Sequence, residues 1–181
     1  MFKTLSLFAA SLVMFAFVSG CTVKKDFTFD IDYDLPVNET GSGTTYATSS
    51  TVKASDYSSD FDKYKEDISN VDVQSATYTI LTAVPKSPAQ QIINATLTVA
   101  DLNGGAPVLV GTVSNINLTT ALGVETDLPL TDEGKQKIED QLRGSDGAAV
   151  FTFSGSTNEM PIIFTVKFKL NLKATYEKTI P

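Results

Sequence analysis

The 181-residue sequence predicts a mainly β domain, an antiparallel β-sandwich of about six to seven strands with two short helices. Three observations predict it. Apolar residues alternate strictly near both ends of the chain, turn-forming residues punctuate β-prone runs between them, and no strict βαβ alternation occurs. A single curved antiparallel sheet backed by the helices, an α+β arrangement, is the alternative. No internal repeat is apparent.

The first strand is the most legible. Phe27, Phe29, Ile31, Tyr33, Leu35 and Val37 occupy every odd position, with Thr28, Asp30, Asp32 and Asp34 between them. Period-two patterning of this kind places one face in a core and the other in water. Pro36 calls for an edge strand or a strand end, because proline lacks the N–H a ladder needs. Residues 38–51 are polar and of low complexity, and a flexible loop is expected there.

Tyr57, Phe61, Tyr64, Ile68 and Val71 recur at helical spacing, so a short helix is expected over 59–69, capped by Ser58 or Ser59. Their aromatic stripe reads as a core contact. Strands are expected over 71–84 and 91–102, separated by Pro85-Lys-Ser-Pro88. Asn103-Gly104-Gly105 then predicts a tight reversal into a strand over 108–118. Thr131 caps a second helix with Asp132 and Glu133 near its positive end, and Gly144 is expected as its C′ residue.

Strands over 148–156 and 162–176 close the domain. In the last, Ile162, Phe164, Val166, Phe168, Leu170 and Leu172 alternate with Thr165, Lys167, Lys169, Asn171 and Lys173. The wet faces of the first and last strands thus carry opposite charges. Cross-strand charge pairs stabilise one register over others, so these two strands are expected side by side in one sheet.

The segment before the domain is read separately. Lys3 precedes an apolar run from Leu5 to Val18, too short for a span, which needs about 20 apolar residues. Val18-Ser19-Gly20-Cys21 follows. This order of charge, apolar run, small pair and cysteine resembles the lipobox of bacterial lipoproteins. The resemblance implies cleavage before Cys21, acylation of Cys21, a signal peptide over 1–20, a lipidated tether over 21–25 and a domain over 26–181. Two or more acyl chains make a stable anchor where one does not. Thr22 stands where a retention signal for the inner membrane has Asp, which by resemblance favours the outer membrane. Lys24-Lys25-Asp26 faintly resembles a surface-export signal, so the periplasmic and surface faces both stay open.

Composition excludes several function classes. The chain has no histidine, which removes Ser-His-Asp triads, Cys-His dyads and His-ligated zinc. Cys21 is its one cysteine, so no internal disulfide can form. Without Lys3 the side chains sum to −8, a balance that repels nucleic acid. No catalytic residue, cofactor or metal site is expected.

Four motifs have plainer readings than chemistry. Asp30-Ile-Asp32-Tyr-Asp34 superficially resembles a calcium loop, but Leu35 and Gly41 stand where an EF-hand needs Gly and Glu. Asp101-Leu-Asn103-Gly104 could offer oxygen ligands at a hairpin tip, yet turn chemistry explains these residues. Ser50-Thr-Val-Lys53 matches the Ser-x-x-Lys of penicillin-recognising enzymes without the Lys-Thr-Gly that should follow. The carboxylate pairs Glu125/Asp127 and Asp132/Glu133 flank a helix start and suit its dipole. The sequons at Asn38, Asn94 and Asn117 are discounted because the lipobox resemblance makes the host bacterial. The expectation is an anchored, non-enzymatic envelope module with the membrane as one partner and a protein or glycan as another. A carrier of a lipid or other apolar ligand is the second expectation, and a large cavity near Tyr57, Phe61 and Tyr64 would favour it.

Overall fold

Alternating strands that each wet one face need a second layer to cover the other. The chain supplies it by dividing the strands of both its halves between two sheets. The computed structural model describes residues 21–144 and 146–180, and the positions at 18–20 lie outside them. Eight strands form two antiparallel four-stranded sheets. They are β1 (Cys21–Glu39), β2 (Thr45–Lys53), β3 (Ile68–Ala83) and β4 (Gln91–Ala100), then β5 (Val108–Asn117), β6 (Glu125–Asp127), β7 (Ala148–Thr157) and β8 (Ile162–Ile180).

One sheet has the order β1-β8-β3-β6 and the other β2-β7-β4-β5. Successive strands from β1 to β4 and from β5 to β8 mostly alternate between the sheets. Nested Greek keys of this form make a jelly roll, so the sandwich is an eight-stranded one. The alternative of a single curved sheet is overturned by the second sheet.

The expected pairing of first and last strands is observed. β1 and β8 run antiparallel over 19 rungs from Cys21↔Ile180 to Glu39↔Ile162. Asp32 lies opposite Lys169 and Asp34 opposite Lys167. β1 is an edge strand, which accommodates Pro36.

The two sheets meet through aromatic rings. Tyr33 of β1 lies 5.0 Å from Phe151 of β7, Phe153 of β7 lies 5.3 Å from Phe168 of β8, and Tyr46 of β2 lies 5.6 Å from Phe164 of β8. Ile31, Leu35, Leu97, Val99, Val166 and Leu170 complete a dry centre. Each fully buried side chain of this size contributes about 1.5–3 kcal/mol over its exposed form.

Helix α1 (Ser59–Tyr64) is shorter than expected, because a 3₁₀ turn over Lys65–Asp67 and then β3 take up the remaining residues. Ser58 caps it by accepting from the Phe61 N–H at 3.1 Å. Helix α2 (Asp132–Arg143) is capped by Thr131, whose hydroxyl accepts from the Gly134 N–H at 3.0 Å. Gly144 ends it in an extended conformation at φ −63, not in the left-handed one expected of a C′ glycine. The Gly144 N–H still meets the Asp140 and Gln141 carbonyls, so the last turn is satisfied. α2 closes the open flank between β3 and β5, burying Ile138 and Leu142.

Two further expectations are corrected. Residues 21–25, expected as a tether, are the first rungs of β1, held by the matching end of β8. Residues 38–51, expected as a flexible loop, contain the end of β1 and most of β2, leaving 40–44 between them. β2 was hidden because its inward positions include Thr48 and Ser50 beside Tyr46 and Val52, which blunts the apolar alternation. β6 is three residues long and wholly exposed, so no hydrophobic signal announces it. Among the described residues no helix is long and apolar enough to cross a membrane.

Candidate functional site

The acidic run of β1 is a strand face. Asp30 accepts from Asn171 Nδ2 at 2.7 Å and pairs with Lys169 at 2.9 Å, while Asp26 pairs with Lys173 at 2.7 Å and accepts from Thr175. These bonds, Asn171 and Lys169 for one and Lys173 and Thr175 for the other, hold both carboxyls below the ordinary Asp range. Extension spreads Asp30, Asp32 and Asp34 along a line, so they do not converge on an ion. Among the described residues no group of three or more acidic or cysteine side chains converges as a metal site.

The remaining motifs resolve locally. Ser50 and Lys53 are three residues apart on β2, which sends their side chains to opposite faces and excludes a Ser–Lys dyad. Asp101 receives Lys137 Nζ at 2.6 Å, and its carbonyl accepts the Gly104 N–H in a turn where Gly104 has φ +83. Asp101, Asp140 and Asp146 border a hollow of about 470 Å³, with Asp140 held by Arg143 at 2.7 Å. Glu125 accepts from Thr77 Oγ1 at 2.8 Å, and Asp132 and Glu133 occupy the first turn of α2. The Asn117 side chain is consumed in a turn, accepting from the Thr119 and Thr120 N–H groups and donating to the Pro88 carbonyl.

The aromatic stripe near α1 divides three ways. Phe61 is buried, Tyr64 stacks on Tyr176 at 4.2 Å with rings nearly parallel, and Tyr57 is partly exposed. Phe29 packs on Phe61 at 5.5 Å, filling the space a carrier would keep open.

The place where small polar groups gather is the outer face of the β2-β7-β4-β5 sheet. Three successive rungs cross it. Thr45, Ser156, Asn94 and Ser114 form the first, and Ala47, Ser154, Thr96 and Thr112 the second. Ser49, Thr152, Thr98 and Leu109 form the third. Their partners in the alternation, such as Tyr46, Phe153, Ala95 and Leu97, face the core. None of these twelve side chains is ionisable. A shallow depression of about 600 Å³ lies over the first two rungs, with Glu39 at its rim. Sequence reasoning missed this face because half of it belongs to β2, and because Ser and Thr carry no charge pattern to mark a surface.

Residue 21 begins β1 at the end of the sandwich where α1 and the last residues of β8 also lie. The Cys21 side chain is outside the described atoms.

No family model matches this chain, and no curated protein matches it. Among solved structures it is similar to Desmodium yellow mottle tymovirus, with 10% identity, TM-score 0.36, and coverage of 100% of this chain and 96% of that one. Turnip yellow mosaic virus gives 13% identity and TM-score 0.34 over 90% of this chain and 96% of that one. A decameric BFDV capsid protein gives 11% identity and TM-score 0.37 over 84% and 99%. At these scores the likeness carries no argument about function. The strand order of the chain itself makes the fold a jelly-roll sandwich.

Proposed function

We propose that this chain is a lipid-anchored module of the bacterial envelope, non-enzymatic, acylated at Cys21 and held at the outer membrane. The observation that carries the reading is the segment ending Val18-Ser19-Gly20-Cys21, in which the chain's one cysteine falls at the lipobox position. The fold is compatible with an anchor there. Residue 21 starts a strand at one end of the sandwich, so an acyl group on it would hold that end against the bilayer with little slack. The far end, with the 84–90 and 118–124 loops, would then face away from the membrane.

A binding or structural role fits this arrangement better than a lipid carrier. A carrier needs internal space, and the Tyr33, Phe151, Phe153 and Phe168 rings fill the centre.

The test is intact mass and detergent partitioning of the full-length protein and of Cys21→Ala from a bacterial host. Acyl mass on residue 21, with only the variant moving to the aqueous phase, is expected. Cleaved, unacylated and soluble products from both would overturn the anchor and leave a free secreted domain.

A further inference from the structure

We infer that β2 is a docking edge for β2 of a second copy of this chain, the two strands running antiparallel about a two-fold axis at Ser49. The inference reaches past the anchored-module proposal and does not need acylation to be correct.

The first argument is that half of the β2 backbone is open. β2 ends its sheet, with β7 on one side and no strand on the other among the described residues. The Thr44 carbonyl accepts from the Thr157 N–H, and the Ala54 N–H donates to the Gly147 carbonyl, both at 2.9 Å. Between these bonds the register with β7 runs unbroken from Thr45↔Ser156 to Lys53↔Ala148. Antiparallel bonding alternates along a strand, so the even-numbered residues are those bonded to β7. The N–H and C=O groups of Thr45, Ala47, Ser49, Thr51 and Lys53 therefore point to the open edge.

The second argument is that the other three edges are guarded and this one is not. Edge strands are ordinarily blunted by proline, charge, short length or a cover. β1 carries Pro36 and alternating aspartates, so pairing with itself about Asp32 would set Asp30 against Asp34. β6 is three residues long and carries Glu125 and Asp127. On β5 the Leu109 and Val110 carbonyls are taken by Thr131, and Asn115 breaks the extended backbone at φ 55. β2 has no proline and no bulge, and Lys53 is its one charge.

The third argument is self-complementarity, which names the occupant. Pairing about Ser49 sets Ala47 opposite Thr51 and Thr45 opposite Lys53, so each open N–H and C=O meets its counterpart on the other copy. The same register sets Tyr46 opposite Val52 and Thr48 opposite Ser50. Tyr46 and Val52 are both buried, so the dry row of one copy continues into that of the other, with an aromatic ring against a β-branched side chain. A slip of one residue would turn that row outward. Lys53 of one copy also comes beside Thr45 of the other, and Thr45 borders the same hollow as Glu39. Among the described residues neither Glu39 nor Lys53 is ion-paired. A second copy supplies each with an opposite charge, twice over.

The two-fold axis reverses one copy against the other, so their residue-21 ends lie at opposite ends of the pair. On the anchored-module reading, acylated copies would meet across two facing bilayers and not side by side on one.

The test is disulfide trapping of full-length protein in a non-denaturing detergent, in a Cys21→Ala background that leaves each added cysteine alone. Across the axis the two residue-49 Cα atoms would lie about 5.5 Å apart, within disulfide reach. Ser49→Cys is expected to form a covalent dimer about tenfold faster than Thr112→Cys, an exposed position on β5. Ala47→Cys is expected not to trap with itself, its two copies being about 13 Å apart along the strands. Mixed with Thr51→Cys, it is expected to trap. Sedimentation of the Cys21→Ala protein is expected to show a monomer–dimer equilibrium, weakened about tenfold or more by Ser49→Asp, which sets like charges face to face. Thermal melting of Ser49→Asp close to that of Cys21→Ala is expected, since residue 49 is exposed. A monomer at every concentration, trapping at Thr112→Cys as fast as at Ser49→Cys, or self-trapping of Ala47→Cys would overturn the inference. Because residue 21 is alanine throughout, failure of the anchor leaves these outcomes unchanged.

Discussion

Lys169 Nζ bonds Asp30 at 2.9 Å, although the residue directly opposite Lys169 in the register is Asp32. The lysine reaches diagonally, and Asn171, which does lie opposite Asp30, adds a second donor to the same carboxylate. One carboxylate thus collects two donors from the neighbouring strand.

The Asp30 carboxyl is held below its ordinary 3.8 by Asn171 and Lys169. A depressed carboxyl stabilises the fold above its unfolded pKa, and the contribution disappears as pH falls through its folded value. Asp30→Asn should therefore cost about 0.2–0.5 kcal/mol at neutral pH, small because both side chains are two-fifths exposed. The difference should vanish in strong acid. Urea midpoints of the two proteins across that range check it, and a gap that widens on acidification would contradict the assignment.

Tyr33 is stacked in the core 5.7 Å from Phe168, and its hydroxyl has no hydrogen-bond partner among the described residues. Burial pushes the phenol well above its usual pKa of 10.0. An unpaired buried hydroxyl costs about 1–3 kcal/mol. Tyr33→Phe keeps the ring and removes that cost, so the melting temperature should rise. A fall would mean that the hydroxyl has a partner in solution.

Gly134 sits in the first turns of α2, where Gly ordinarily costs about 1 kcal/mol against Ala. Here the sign reverses. A Cβ would run into the Leu109 carbonyl oxygen and the Thr131 hydroxyl, at 2.8 Å from the latter. Gly134→Ala should destabilise by about 1–3 kcal/mol, as overpacking does, and guanidinium unfolding will show whether propensity or contact wins.

Beyond the short β6, the edge of β3 is covered by α2. Glu139 Oε1 accepts the Val73 N–H at 2.9 Å, and Lys135 pairs with Asp72 at 3.2 Å. Glu139→Ala leaves a strand-edge donor open. A loss of about 1–3 kcal/mol is expected, together with faster amide exchange at Val73 and a greater tendency to associate through that edge. Unchanged exchange at Val73 would show that the helix does not guard the edge.

Legibility in the sequence tracked how each element is stabilised. β1 from Ile31 to Val37 and β8 from Ile162 to Leu172 bury every second residue, and Asp32 and Asp34 between them face Lys169 and Lys167, so local pattern and long-range partner agree. α2 was legible from Thr131 and its acidic first turn. β2 was not, because Thr48 and Ser50 face inward on a strand held between Tyr46 and Val52. The neutral face vanished with it, since that face exists only when Thr45, Ala47 and Ser49 are laid beside β7.

By itself, the sequence determined the mainly β class, the β1–β8 partnership, both helix starts and the lipobox pattern at Cys21. Tertiary structure alone decided the jelly-roll order, the placement of α2 across the open flank, and the gathering of hydroxyls into three rungs. The physical reason is that alternation is a local record of which side of a strand is dry. Which strand lies next to which depends on closing two sheets around one set of rings, and the groups that meet are often separated by more than a hundred residues, as Thr45 and Ser156 are.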